Sequence, residues 1–347
     1  MKAKKRSVIF TLMGVAFFIT YLLWSNPFSA FAEVGRFNLV IYALAVLIDQ
    51  IGLIFFVASW YLILRAMKVN LSFTESVQIT FTSLFIGWIA PLPLITEMVR
   101  AYLVKERSDS NLGKALSSVL VHRSYYNIAF GVIIGGTAFA TLVKGGEIPI
   151  NSEIIIFLTA FALMSVVVFS LALNTRALSY IYHKSPMGVR KRVFDRYNDP
   201  ESGVEGFTLV IEDIGVAVRA LRENMGLNLL AFLMLAFHWS SGALTAYLSA
   251  EAMGVRIDLA TIIFAYAVVE FLQQINFFIP GGLGLLDAGL AGALVLAGVP
   301  LSTAAAISLL TRIATYWLEV VVCTPFALHF GYKEFLSKYF EGEKQPQ

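Results

Sequence analysis

Apolar residues run along this chain in blocks long enough to cross a bilayer, and polar residues gather between them. Uninterrupted apolar blocks cover roughly residues 8–24, 38–64, 115–143, 153–173, 227–250 and 303–330. Each approaches or exceeds the ~20 residues a helix needs to span the hydrocarbon core. Two further stretches, 74–105 and 259–299, are interrupted, the first by Pro91-Leu92-Pro93 and the second by Pro280-Gly281-Gly282-Leu283-Gly284. The residue before a proline disfavours helix and glycine weakens it further. Each stretch is therefore predicted to be a broken hairpin, two helical pieces meeting at an unwound turn. The piece at 94–105 is too short to cross alone, which predicts a re-entrant first hairpin. The longer piece at 284–299 leaves open a second re-entrant hairpin or two full crossings.

The pattern also repeats. Ala66-Met67-Lys68-Val69 opens a stretch that passes Pro91, Glu97 and Arg123, and Ala252-Met253-Gly254-Val255 opens another that passes Pro280, Asp287 and Arg312. Proline and arginine are 32 residues apart in both, and the second copy trails the first by 186 to 189 residues. This predicts two homologous halves, about 38–143 and 227–330, in one transmembrane domain covering 1–347. In carriers built that way the substrate site lies between the halves, near mid-membrane.

Composition removes the soluble alternatives. Hydrophobic residues make up 58% of the 347 positions and charged ones 14%, against about 25% charge in soluble domains. The single cysteine, Cys323, excludes an internal disulfide. The four histidines are scattered, and no His/Cys/carboxylate spacing resembles a metal site. Neither a metal nor a cofactor is expected. The basic start, Lys2-Ala3-Lys4-Lys5-Arg6, followed by the first apolar block, reads as an uncleaved anchor. A signal peptide ending near Ala30-Phe31-Ala32 is the alternative.

Charge placement orients the chain. Lys2 to Arg6, the loops at 65–73 and 105–114, the stretch 174–225 and the tail carry most of the lysine and arginine, whereas the loops near 25–37, 144–152 and 297–302 hold only Arg36 and Lys144. The positive-inside rule places both termini in the cytoplasm of a cytoplasmic-membrane protein. From the block at 38–64 to its counterpart at 227–250 the chain crosses three times, so the second copy is inverted and the two broken turns converge. Within 174–225, Phe207, Val210, Ile211, Ile214, Val218 and Leu221 share one helical face, predicting an amphipathic helix on the membrane or capping the bundle.

The candidate chemistry lies at charges inside the apolar blocks. Arg123 and Arg312 sit nine or ten residues inside their spans, about 13–15 Å deep at the helical rise. An arginine there must pair or face water. Its fork of donors suits phosphate, and Tyr126, Tyr316 and Trp317 lie within about a turn of it. The competing expectation is a structural pair with the acid of the same half, Glu97 or Asp287. Glu97 and Arg100, three apart, can instead pair with each other, or Arg100 can snorkel to the interface. Asp49, Glu270, Glu319, His122 and His238 are further ionisable groups within apolar runs. Gln273, Gln274 and Asn276 are expected to hydrogen-bond the unwound backbone. Pro91, Pro93, Pro280, Gly281, Gly282 and Gly284 are expected to act as hinges. No Lys-Ser/Thr follows the glycines, so they are not a nucleotide loop.

Pro280-Gly-Gly-Leu-Gly-Leu-Leu-Asp287, Glu97-x-x-Arg100-Ala-Tyr-Leu and Arg312 with Tyr316-Trp317 resemble the flippase-like membrane family of the lysylphosphatidylglycerol synthases, over about residues 8–330. The family commonly has Glu where this chain has Asp287, and Gly where it has Thr96. The resemblance implies lipid translocation, a membrane lipid as substrate, and a lipid- or glycan-synthesising enzyme as a possible partner. The sequence lacks the soluble aminoacyl-transferase domain of the bifunctional enzymes, so aminoacylation is not expected.

The expected fold is thus an all-α polytopic membrane protein of two inverted repeats, each with a broken helical hairpin. The expected function is movement of an anionic, phosphate-bearing lipid, a phospholipid or a polyprenyl phosphate, between leaflets. Arg123, Arg312, Arg100, Glu97, Asp287, Tyr126, Tyr316 and Trp317 are the expected binding residues. A carrier for a small solute or ion, a membrane-embedded lipid-modifying enzyme and a non-transporting scaffold are the alternatives.

Overall fold

A computed structural model describes residues 2–33, 37–89, 95–108, 110–144, 152–186, 206–276 and 279–329. The helices in chain order are α1 (Lys2–Ser25), α2 (Pro27–Glu33), α3 (Leu39–Ala66), α4 (Phe73–Ile89), α5 (Ile95–Arg107), α6 (Leu112–Val143), α7 (Ser152–Ala172), α8 (Thr175–Lys184), α9 (Gly206–Glu223), α10 (Met225–Ala252), α11 (Leu259–Ile275), α12 (Leu285–Leu296), α13 (Leu301–Arg312) and α14 (Leu318–His329). A 3-10 turn, Pro280–Gly282, separates α11 from α12, and a π-helical turn, Ile313–Trp317, joins α13 to α14. No strand occurs among the described residues.

Among the described residues, five helical segments are long and apolar enough to cross a membrane: α3, α6, α7, α10 and the continuous run Leu301–His329. Their outward faces suit lipid. Along α3, Leu39, Val40, Leu44, Leu47, Ile51 and Ile54 form one exposed apolar stripe, and α7 exposes Ile156, Phe157, Leu163, Met164, Val167 and Val168. With water outside, such stripes would be a large unfavourable surface; with acyl chains outside, they are the expected one. The protein is an integral membrane protein.

Helices α3 and α10 pack along each other at the centre. Gly52 makes that approach possible, because a Cβ there would lie 2.0 Å from the Ser241 hydroxyl. Thr245 donates to the Ala45 carbonyl across the same seam, at 3.2 Å. Around this pair α4 and α5 pack with α6, and α11 and α12 pack in series with the α13–α14 run; the two groups meet where α4 packs on α14, with the Phe81 and Phe326 rings 5.0 Å apart. The N-terminal α1 crosses the glycine turn closely enough that a Cβ at Gly284 would meet the Phe18 backbone nitrogen at 2.8 Å.

Both central helices end in the same way. After α3, the Val69 N–H donates to Leu64 O at 2.9 Å and Lys68 N–H to Arg65 O at 3.0 Å. After α10, Val255 donates to Ala250 O at 3.0 Å and Gly254 to Glu251 O at 2.9 Å. These are Schellman caps, whose C′ residue must be left-handed. Gly254 (φ 73°) adopts that conformation freely, whereas Lys68 (φ 57°) adopts it with a side chain. Lys68→Gly is therefore expected to stabilise the protein by roughly 1 kcal/mol, read as a higher melting temperature in detergent. Gly254→Lys should shift it the other way.

The amphipathic helix forms as α9, with Val210, Ile211, Ile214 and Leu221 buried against α6 and α8. Gly113 at the start of α6 gives it room, since a Cβ there would sit 2.2 Å from Asp213 Cβ. Asn111 donates to the Asp213 carboxylate. Burial raises the Asp213 pKa, an effect that Asn111 and Lys114 oppose. The side chain of Asn224 ties the end of α9 to the Ala66 carbonyl of α3 at 3.2 Å.

Candidate functional site

The broken turn in the second half is built by its own residues. Gly281, Gly282 and Gly284 all have positive φ (57°, 62° and 77°), the conformation for which glycine is used. Asn276 closes the loop from both sides: its amide donates to Ile279 O at 2.6 Å and its oxygen accepts from Ile279 N at 3.0 Å. Asp287 then accepts the Gly284 N–H at 3.0 Å, capping α12. The corresponding turn of the first half, with Pro91 and Pro93, lies outside the described residues.

Arg312 links this turn to the membrane span. It approaches Asp287 at 3.6 Å, donates to the Gly281 carbonyl and lies over the Tyr316 ring at 4.3 Å. In the first half, Arg123 approaches Glu97 at 3.8 Å and lies over the Tyr126 ring at 5.5 Å. Each pair joins an arginine of a long apolar helix to the acid that follows the broken turn of the same half. Arginine and tyrosine are three apart in the first half and four apart in the second. The π-helical turn starting after Arg312 accommodates one extra residue there, as such turns do.

The two pairs differ in access. Arg312 and Asp287 are 9% and 1% exposed; Arg123 and Glu97 are 28% and 21%. The pair of the second half is locked to backbone, whereas the Arg123 guanidinium borders open space.

That space is a cavity of about 580 Å³ lined by residues from Asp49 to Phe161 and from His238 to Glu319. Arg100, Arg123, Arg312 and Glu97 line it, with Asp49, Glu270, Glu319, His122 and His238 around them. Tyr126, Tyr316, Gly281, Gly282, Gln273, Gln274 and Asn276 also reach its wall. Asp287 sits behind Arg312, buried. Trp317 does not line the cavity: it is exposed, with its ring 5.1 Å from that of Tyr316.

Arg100 corrects both sequence expectations. It neither pairs with Glu97 nor reaches the interface, being 2% exposed and stacked on Phe56 (4.8 Å) and Trp60 (5.2 Å). Its Nη1 meets His122 Nδ1 at 3.2 Å. A guanidinium only donates, so His122 accepts at Nδ1 and carries its proton on Nε2. That N–H faces Ser59 Oγ at 2.8 Å and Phe56 O at 3.2 Å. The chain of donors fixes the tautomer and leaves Arg100 as a buried cation without a carboxylate partner.

Tyr266 is among the cavity residues that sequence reading missed. It is nine-tenths buried, and its hydroxyl lies against Gly242, where a Cβ would be 2.2 Å away. It stands four residues before Glu270, a spacing that puts both on one face of α11. That periodicity was the available signal.

Gly281 is a tight point in the turn. A Cβ would lie 2.1 Å from the Tyr316 hydroxyl, at a positive φ. Gly281→Ala is expected to cost about 1–3 kcal/mol and to displace Tyr316 from Arg312. Thermal melts should show the loss, with partial recovery when Tyr316→Phe is added.

The comparisons with known proteins come down on one family. The lysylphosphatidylglycerol synthase TM region matches residues 8–323. A UPF0104 membrane protein of Methanothermobacter thermautotrophicus is 23% identical over 95% of both chains, and another from Pyrococcus horikoshii is 17% identical over 91% of this chain and 95% of its own. The phosphatidylglycerol lysyltransferase of Staphylococcus haemolyticus is 30% identical over 35% of this chain and 14% of its own. No solved structure matches. With nearly its whole length matched, the chain belongs to the family of the lysylphosphatidylglycerol synthase TM region.

Proposed function

We propose that this protein is a lipid translocase of the cytoplasmic membrane, moving an anionic, phosphate-bearing lipid between leaflets by alternating access, and that it is not an enzyme. The observation that carries this is the cavity to which Arg100 and Arg123 bring guanidinium groups among helices long and apolar enough to cross the membrane. A cation kept there is costly unless something anionic meets it. A phosphate fits the fork of an arginine, and the apolar stripes of α3 and α7 keep acyl chains beside the protein.

The two halves are read as inverted repeats whose hairpins re-enter the membrane, with both termini cytoplasmic. Support comes from the matched Schellman caps, the matched arginine–acid–tyrosine sets and the odd number of crossings between α3 and α10. In this reading the locked Arg312 pair closes one side while the exposed Arg123 pair opens on the other. The headgroup displaces Glu97 from Arg123, and the halves then exchange roles. The glycine turn and its first-half counterpart are the hinges. The lysyltransferase relative makes phosphatidylglycerol the first lipid to test. A lipid- or glycan-synthesising enzyme is the partner this role would serve.

The test is translocation in proteoliposomes. Fluorescent phosphatidylglycerol in the inner leaflet should become accessible to external dithionite faster with protein than without. An unchanged rate for phosphatidylglycerol and for a polyprenyl phosphate would remove the translocase reading.

A further inference from the structure

Three carboxylates on the cavity wall take no part in the arginine pairs. Glu270 accepts from Tyr126. Asp49 of α3 accepts from its neighbour Gln50 at 3.1 Å. Glu319 of α14 has no hydrogen bond or ion pair among the described residues. Asp49 and Glu319 are 5% and 9% exposed and line one cavity, and Leu53 and Cys323, each one turn beyond them on α3 and α14, pack in the same buried cluster.

Their surroundings do not neutralise them. Arg312 lines the same cavity, but it is already engaged by Asp287 and the Gly281 carbonyl. From α11, Tyr266 lines the same cavity as Asp49, Glu319 and Glu270. Cys323 follows Glu319 by one turn. Helix α10 brings His238, α6 brings His122 and Arg123, α5 brings Glu97 and Arg100, and α4 brings the uncharged Leu84, Gly87 and Trp88 to the same cavity. Three arginines thus stand against five carboxylates, counting Asp287. An anionic headgroup adds one more negative charge. Two carboxylates side by side in a poorly solvated site do not both ionise.

We propose that Asp49 and Glu319 form a proton-binding site, and that its proton crosses the membrane with the lipid headgroup. This rests on the translocase reading. A phosphodiester carries one negative charge, so one accompanying proton makes the transit electroneutral and spares the cavity an uncompensated charge. The proton enters from solvent on the side where the cavity opens and leaves on the other. A metal cation is a poorer fit: hard cations take six or more oxygen ligands, and no group of three or more His, Cys, Asp or Glu able to hold one occurs among the described residues.

The experiment imposes a one-unit pH gradient on proteoliposomes and reads the steady leaflet distribution of fluorescent phosphatidylglycerol. One-to-one coupling predicts about a tenfold excess in the leaflet facing the alkaline side. In Asp49→Asn and Glu319→Gln the distribution should become even, whatever rate each variant retains. Wild type that moves lipid to an even distribution, or to one that follows a sodium gradient, overturns the proton site and leaves the translocase standing. Wild type that moves no lipid removes the translocase and the coupling with it. The pair is then judged by infrared spectroscopy: a protonated-carboxyl band at pH 7, lost in the double variant, keeps the proton site, and its absence from wild type overturns it.

Discussion

Arg312→Ala is expected to destabilise the protein by about 3–5 kcal/mol, the range for removing one partner of a buried ion pair. Asp287 would stay 1% exposed with no cation beside it, and the Gly281 carbonyl would lose its donor. The Tyr316 ring would lose the guanidinium above it. Since these contacts tie the glycine turn to the α13–α14 run, the loss should appear as a lower melting temperature and reduced yield. Arg312→Lys should recover little, because a point charge cannot serve carboxylate, carbonyl and ring from one plane. Adding Asp287→Asn to Arg312→Ala should recover part of the stability, since the orphaned charge is then gone. If the single variant melts with wild type, the pair does not hold the turn.

Arg123→Ala should behave in the opposite way. Its partner Glu97 is 3.8 Å away and 21% exposed, so the change in stability should stay within about 1 kcal/mol. Translocation should fall roughly 10- to 100-fold, the loss expected when a charge-assisted bond of about 1.5–3 kcal/mol is removed. Glu97→Gln separates the roles. If Glu97 competes with the headgroup for Arg123, that variant should bind lipid more tightly and release it more slowly. Equal stability losses at Arg123 and Arg312 would mean that the two halves are not in different states.

Much of the fold was legible because burial in lipid leaves little freedom. A helix must satisfy its own backbone there, so apolar length alone located α3, α6, α7 and α10. Gly281, Gly282 and Gly284 marked the second broken turn through backbone chemistry that needs no tertiary context. Arg123 and Arg312 stood out because charge in an apolar run is rare. What the residues did not reveal is which partner each charge takes. Arg100 lies three residues from Glu97, yet the rotation of α5 turns it between α3 and α6 onto His122. Trp317 lies one residue beyond a cavity tyrosine, and the π-helical turn carries it outward. Both outcomes depend on helix rotation, which sequence spacing alone does not specify. Asp49 and Glu319 come from helices about 270 positions apart, and only packing brings them to one wall.

Native mass spectrometry of the purified protein would test the central claim most directly, that the cavity holds a phosphate-bearing lipid against Arg123. Wild type should retain one such lipid per chain through delipidation, and Arg123→Ala should lose it while melting as wild type does. The same unselective mixture on both proteins, or no lipid on either, would contradict a headgroup site at Arg123 and return both arginines to purely structural ion pairs.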